Sequence, residues 1–153
     1  AKVNDLLRFR GPLGTFFLRG TRSLDIFFLA TGTGIAPVKS MLLSCEHLGP
    51  DQAPDSITVL WGGRRESDLY FDFSDIIGSG RYYPILSQPP QEWHGFRGYV
   101  QEALVALNPD LKKSRVYACG SDSMIRSSEE LLLKKGLRPE HFFSDAFVSS
   151  GKG

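Results

Sequence analysis

From Leu24 onward the sequence alternates continuous apolar runs with stretches of helical periodicity, and this alternation constrains the fold more than any other feature. The runs are LDIFFLA (24–30), ITVLWG (57–62), YYPIL (82–86), RVYACG (115–120) and HFFSDAF (141–147). Most are continuous and rich in aromatic and β-branched residues, the pattern of strands covered on both faces. Between them, Val38, Met41, Leu42 and Cys45 follow i, i+3, i+4, i+7 spacing until Gly49 and Pro50 stop the helix. Val100, Ala103, Leu104 and Leu107 form a second stripe, ended by Asn108 and Pro109. Met124, Leu131 and Leu132 mark a third, with Lys134, Lys135 and Gly136 at its C-terminus, where cations meet the negative end of the helix dipole. A shorter helix is expected over 68–77. Strands joined by helices in this way predict a three-layer, doubly wound α/β fold with a five-stranded parallel sheet. Ligands in such folds sit beyond the carboxyl ends of the strands, so the loops to read are those after Ala30, Gly62, Leu86 and Gly120.

The N-terminus does not follow the alternation. LLRFRGPLGTFFLRG reads as two short strands around a turn at residues 11–14, a hairpin pattern. A lone hairpin is marginal in water, and Phe16, Phe17 and Leu18 need a partner sheet that the rest of the chain does not obviously supply. The expected organisation is therefore a terminal hairpin of a preceding β domain over 1–22, an α/β domain over 23–148, and a frayed tail over 149–153. The chain has 153 residues, enough to bury a real core, and its 41% hydrophobic and 23% charged content is that of an ordinary globular protein. A net charge of +1 gives no general field for nucleic acid or an anionic membrane surface. No apolar run approaches the roughly 18–20 residues needed to cross a bilayer, and no signal-peptide pattern opens the sequence. Cys45 and Cys119 do not make a disulfide framework, which points to a reducing, cytoplasmic setting. His47, His94 and His141 show no metal-ligand spacing, and no metal site is expected.

The first of the loops to read is carried by LATGTGIAPVKSML (29–42). A strand ending at Ala30 and a helix starting near Ile35 put Thr31, Gly32, Thr33 and Gly34 at the carboxyl edge of the sheet. Glycine admits positive φ and lets a ligand approach without a Cβ in the way. The free N–H groups and dipole of the following helix favour an anion there, and Pro37 suits its first turn. A tight strand-to-helix turn with no ligand explains the same residues, and spacing alone leaves both readings open. The usual dinucleotide fingerprint is not met: Pro37 stands where its third glycine belongs, and Arg64 and Arg65 stand where an acid should follow the second strand. Ile35 and Ala36 rule out the P-loop.

Five collinear segments, GPLGTFFLR, LATGTGIAPVKSML, VLWGGRRESDLYF, WHGFRGYVQEAL and VYACGSDSMI, together resemble the ferredoxin–NADP reductase superfamily. The resemblance is to the flavin-dependent reductases of multicomponent oxygenases, and FFSDAF is most similar to the reductases that serve deoxysugar dehydrases. It implies a strand order of 3-2-1-4-5, with the N-terminal hairpin as the end of an FAD-binding barrel. It places a pyrophosphate over Thr31, Gly32, Thr33 and Gly34, with Pro37 beside it and Thr33 near the flavin–nicotinamide junction. Its G-x-R element matches Gly62, Gly63 and Arg64, which implies contact with the adenosine half of the cofactor, with Arg65 adjacent. Ser87 is followed by Gln88 where NADP-selective members often carry arginine; an amide cannot neutralise a phosphate dianion, although Arg64 or Arg65 could compensate, so NAD is slightly favoured over NADP. Trp93 and Phe96 fit either packing or an adenine neighbour. The C-G-x-x-x-M element matches Cys119, Gly120, Ser121, Asp122 and Met124, with Cys119 beside the nicotinamide, although Asp122 adds a negative charge on an anion's path. Ser121 makes a sensible N-cap. Phe147 is implied at the flavin border. Thr33, Cys119 and Phe147 are thus the residues expected at the reacting centre.

The family's R-x-[YF]-[ST] segment for FAD is not found in the chain, so FAD is expected only in the intact protein. The resemblance implies an upstream FAD-binding domain and an iron–sulfur domain or ferredoxin-type acceptor as partners. The isolated chain is expected to bind NAD(P)H weakly and to pass no electrons alone. Two other readings stand beside this one, a standalone nucleotide-binding or regulatory module and an interaction domain that keeps only the fold.

Overall fold

The computed structural model describes residues 15–73 and 75–146. One sheet contains β1 (Asp25–Thr31), β2 (Ser56–Gly63), β3 (Arg81–Leu86), β4 (Phe96–Arg97), β5 (Ser114–Gly120) and β6 (Phe142–Ala146). All neighbours are parallel, in the order β4-β3-β2-β1-β5-β6. The five expected strands therefore keep the order 3-2-1-4-5, but the sheet has six strands rather than five. The addition, β4, pairs only with Ile85 and Leu86. Two residues are too few to carry a period, which is why the sequence does not announce it. Its shortness also accommodates Pro84, which pairs with β2 on one side and meets no β4 residue on the other, an edge position where a missing N–H is tolerated.

Among the described residues three α-helices cover the sheet, α1 (Ile35–Cys45), α2 (Val100–Ala106) and α3 (Asp122–Lys134). β1 shows why its apolar run is unbroken. Ile26, Phe28 and Ala30 enter the core under α1 with Val38, Met41 and Leu42, whereas Phe27 and Leu29 enter the core under α2 and α3 with Leu104, Ile125 and Leu132. Successive side chains point to opposite faces, and both faces are buried. The layers are helix, sheet, helix.

The helix expected over 68–77 does not form among the described residues. A single 3-10 turn at Glu66–Asp68 is followed by irregular chain. Phe73 is fully buried while Asp72 is exposed and Phe71 half-buried, a period of two rather than 3.6. The Phe73 ring lies 6.0 Å from Trp61 and 5.1 Å from Tyr82. Inserting that ring into the α1-side core outweighs local helix propensity.

Most of the expected N-terminal hairpin (7–18) lies outside the described residues, and 15–18 form no strand. Phe16 and Leu18 pack against the α1-side core of this same sheet, so the chain does supply their partner surface. The Arg19 N–H donates to Tyr117 Oη at 2.8 Å, and the Arg19 guanidinium lies 3.8 Å from the Phe17 ring centroid and 4.8 Å from that of Phe143. The strap at 15–20 thus covers the β5–β6 half of the face that α1 leaves open. Residues 149–153 lie outside the described part.

Register brings the functional loops together. Thr31 lies opposite Gly62, Gly63 opposite Leu86, and Gly120 opposite Ala146, so the carboxyl ends of five strands meet at one edge.

Candidate functional site

At that edge the chain leaves β1 through a 3-10 turn at Gly32–Gly34 and runs directly into α1. Thr31 is extended at φ −133°, and Gly32 reverses the path at φ +54°, a conformation glycine reaches without strain. A Cβ at Gly32 would meet open space, whereas one at Gly34 would lie 2.0 Å from the Cys119 carbonyl oxygen. Gly32 therefore shapes the turn, and Gly34 lets the turn press against β5. Gly120 is equally constrained, because a Cβ there would lie 2.1 Å from Thr31 Oγ1. That hydroxyl oxygen accepts from the Ser121 N–H at 3.3 Å, tying the end of β1 to the start of α3. Ser121 caps α3, its Oγ accepting from the Met124 N–H at 3.3 Å. Gly32 and Thr33, in the turn that leads into α1, and Asp122 and Met124, in the first turn of α3, border the same space.

That space is a cleft of about 1360 Å³. Thr31, Gly32, Thr33 and Gly120 form its floor, Ser121, Asp122 and Met124 one wall, and Gly63, Arg64 and Ser87 the other. Four expected site residues do not line it. Gly34 is buried against β5, and Pro37 is the third residue of α1. Arg65 is not among the lining residues, and Cys119 is 0% exposed. Burial, and then the charge of Asp145 across the β5–β6 pair, push the Cys119 thiol up to about 12, so it is a neutral packing group beneath the floor. Phe147 lies outside the described residues. Of the three residues expected at the reacting centre, Thr33 alone faces the cleft among those described.

The wall at the β2–β3 end is stiffly built. Ser87 N–H donates to Gly63 O and Gln88 N–H to Arg64 O, each at 3.0 Å. Asp68 Oδ2 accepts from the Arg64 N–H at 2.8 Å and the Arg65 N–H at 3.2 Å. Those backbone donors, Arg65 first and Arg64 second, hold the Asp68 carboxyl below its usual range. On the opposite wall, Asp122 pairs with Arg126 at 3.0 Å, an exposed i,i+4 pair that offsets part of its charge.

The sequence reading missed Asp68, Tyr99, Gln101 and Ser127, all on the cleft lining. Tyr99 is 59% exposed and offers a ring face at the rim. Gln101 is 8% exposed, and its Oε1 has no hydrogen-bond partner among the described residues. Tyr99 and Gln101 follow β4, so a reading of loops after recognised strands passes over them. Trp93 and Phe96 prove to be loop packing: Trp93 Nε1 donates to Phe96 O at 3.0 Å, and the Phe96 ring lies 5.7 Å from Tyr83. No group of three or more His, Cys, Asp or Glu suited to a metal ion exists among the described residues. None of the described helices is long and apolar enough to cross a membrane.

A parallel sheet whose central strand ends in a glycine turn, with a helix N-terminus facing a cleft at its carboxyl edge, defines a dinucleotide-binding α/β domain. The chain belongs to the oxidoreductase NAD-binding domain family, whose sequence profile matches residues 28–130. It is 40% identical over 151 residues to protein RfbI of Salmonella typhimurium, covering 96% of this chain and 44% of that protein. It is 39% identical over 153 residues to the CDP-6-deoxy-L-threo-D-glycero-4-hexulose-3-dehydrase reductase of Yersinia pestis, covering 97% of this chain and 45% of that one. Among solved structures, the Amycolatopsis cytochrome P450 reductase GcoB superposes with a TM-score of 0.75 at 22% identity, over 90% of this chain and 42% of that one. This last likeness is one of fold. The chain spans less than half the length of these two curated relatives.

Proposed function

We propose that the chain is the pyridine-nucleotide domain of a flavoprotein reductase, presenting NADH to an FAD bound by a neighbouring domain, with the electrons passing on to an iron–sulfur centre or partner protein. The observation that carries this reading is the convergence of the Gly32 turn and the α3 N-terminus on one cleft at the carboxyl edge. The residues present fit a dinucleotide: an open glycine turn for the pyrophosphate, a hydroxyl at Thr33, an arginine at Arg64 and an exposed ring at Tyr99. In this reading backbone N–H groups at Gly32 and Thr33 hold the pyrophosphate, Thr33 and Ser121 flank the nicotinamide, and Arg64 and Tyr99 meet the adenosine half. Cys119 supports the nicotinamide floor from below as a neutral thiol.

Hydride passes between nicotinamide and flavin, so the chemistry belongs to the cofactors and the chain supplies position. Relatives named as the reductase component of a phenol 2-monooxygenase and the electron transfer component of an anthranilate 1,2-dioxygenase support onward delivery of the electrons to a partner. Residues 1–22 are assigned in this proposal to the end of the flavin-binding barrel and 23–148 to the nucleotide domain. Exposed Gln88, with no charge to meet a 2′-phosphate, favours NAD over NADP.

Calorimetric titration of the 153-residue chain tests the reading. NADH binding that is weakened in Arg64→Ala is the expected result, with Gln88→Arg improving NADPH binding. Absence of dinucleotide binding, or stoichiometric FAD in the purified chain, contradicts it.

A further inference from the structure

The usual dinucleotide fingerprint places an acid at the end of the second strand, where it accepts hydrogen bonds from the ribose hydroxyls. Arg64 and Arg65 occupy that stretch of sequence here, yet the fold returns an acid to the same place. The 3-10 turn at Glu66–Asp68 folds back so that Asp68 lies over the end of β2, on the cleft wall beside Arg64 and Ser87. We propose that Asp68 sets cofactor choice at the adenosine end, its carboxylate accepting hydrogen bonds from a ribose 2′,3′-diol and repelling a 2′-phosphate. The inference rests on the dinucleotide reading of the cleft given above.

Three features fix the group there. Gly63 makes room for it, since a Cβ at that position would lie 2.8 Å from Asp68 Cβ. The Arg64 and Arg65 N–H groups both bond to Oδ2, leaving Oδ1 without a hydrogen-bond donor among the described residues. The bonds from Ser87 N–H to Gly63 O and from Gln88 N–H to Arg64 O lock this turn to the end of β3. A carboxylate is an acceptor only, which suits two hydroxyl donors and opposes a phosphate dianion. The charged side chains on the lining are Arg64, Asp68 and Asp122, so a third phosphate meets one cation held beside a fixed anion.

The test is calorimetry on the 153-residue chain with NADH and NADPH, comparing wild type with Asp68→Asn and Asp68→Ser. Both replacements keep an oxygen acceptor for the turn and remove the charge. The wild type is expected to prefer NADH, and both variants are expected to shift the ratio of the two dissociation constants toward NADPH by about tenfold. A turn-holding role alone weakens both ligands equally. An unchanged ratio in either variant that retains the wild-type circular dichroism spectrum therefore overturns the proposal and leaves the cleft reading intact. Failure of the wild type to bind either dinucleotide overturns both.

Discussion

Gly34 and Gly32, two residues apart, are held to glycine by different forces, and their replacements should fail differently. A Cβ at position 34 would lie 2.0 Å from a backbone oxygen of β5, which no rotamer change relieves. Gly34→Ala should cost about 3 kcal/mol in urea unfolding, at the upper end for overpacking. At position 32 the space is open but φ is +54°, so Gly32→Ala should cost only about 1–2 kcal/mol. The sharper consequence there is a fall in NADH affinity while the circular dichroism spectrum stays native, because the added methyl borders the anion's approach. Equal stability losses in the two variants would contradict this division of roles. The spacing T-G-T-G is legible in the sequence, but the distinction between its glycines is not, since it depends on how closely β5 approaches.

At the scale of elements, β1, β2 and β5 are legible because both sheet faces are covered there, which leaves unbroken apolar runs at 24–30, 57–62 and 115–120. The segment after β2 misleads for the opposite reason. Its apolar residues are many, but Phe71 and Phe73 obey a two-residue period set by the Trp61 and Tyr82 rings that Phe73 meets and by the contact of Phe71 with Phe73. Phe73→Ala should therefore cost about 3–5 kcal/mol, as for a large ring removed from a core, although its segment is irregular. A loss below about 1 kcal/mol in the same urea assay would show that the ring is not an anchor. At α3 the cap is local and readable: Ser121→Ala should cost about 1 kcal/mol. Because Ser121 also lines the cleft, the variant should bind NADH less tightly as well.

For the whole molecule, burial of four weak acids makes stability depend on pH on the alkaline side. Cys45 is pushed from 9.0 to about 11, Cys119 from 9.0 to about 12 and Tyr82 from 10.0 to about 12, with Tyr117 also raised. In each case desolvation is the main cause. The unfolded chain releases these protons first, so the contribution is complete below pH 9 and is lost as pH rises toward 12. Urea midpoints should be level from neutral pH to pH 9 and fall beyond it; a level profile from neutral pH to pH 12 would contradict the burial of these groups. The cleft is only partly legible at this scale. Its floor follows from strand ends visible in the sequence, but Asp68, Tyr99 and Gln101 reach it through a fold-back turn and a two-residue strand. The claim on which everything else depends is that a nicotinamide dinucleotide lies across this edge of the sheet. The most direct measurement is a titration of the isotope-labelled chain with NADH, followed by amide chemical shifts. The account predicts changes concentrated at Gly32, Thr33, Gly34, Arg64 and Ser121; unchanged signals at these positions would contradict it.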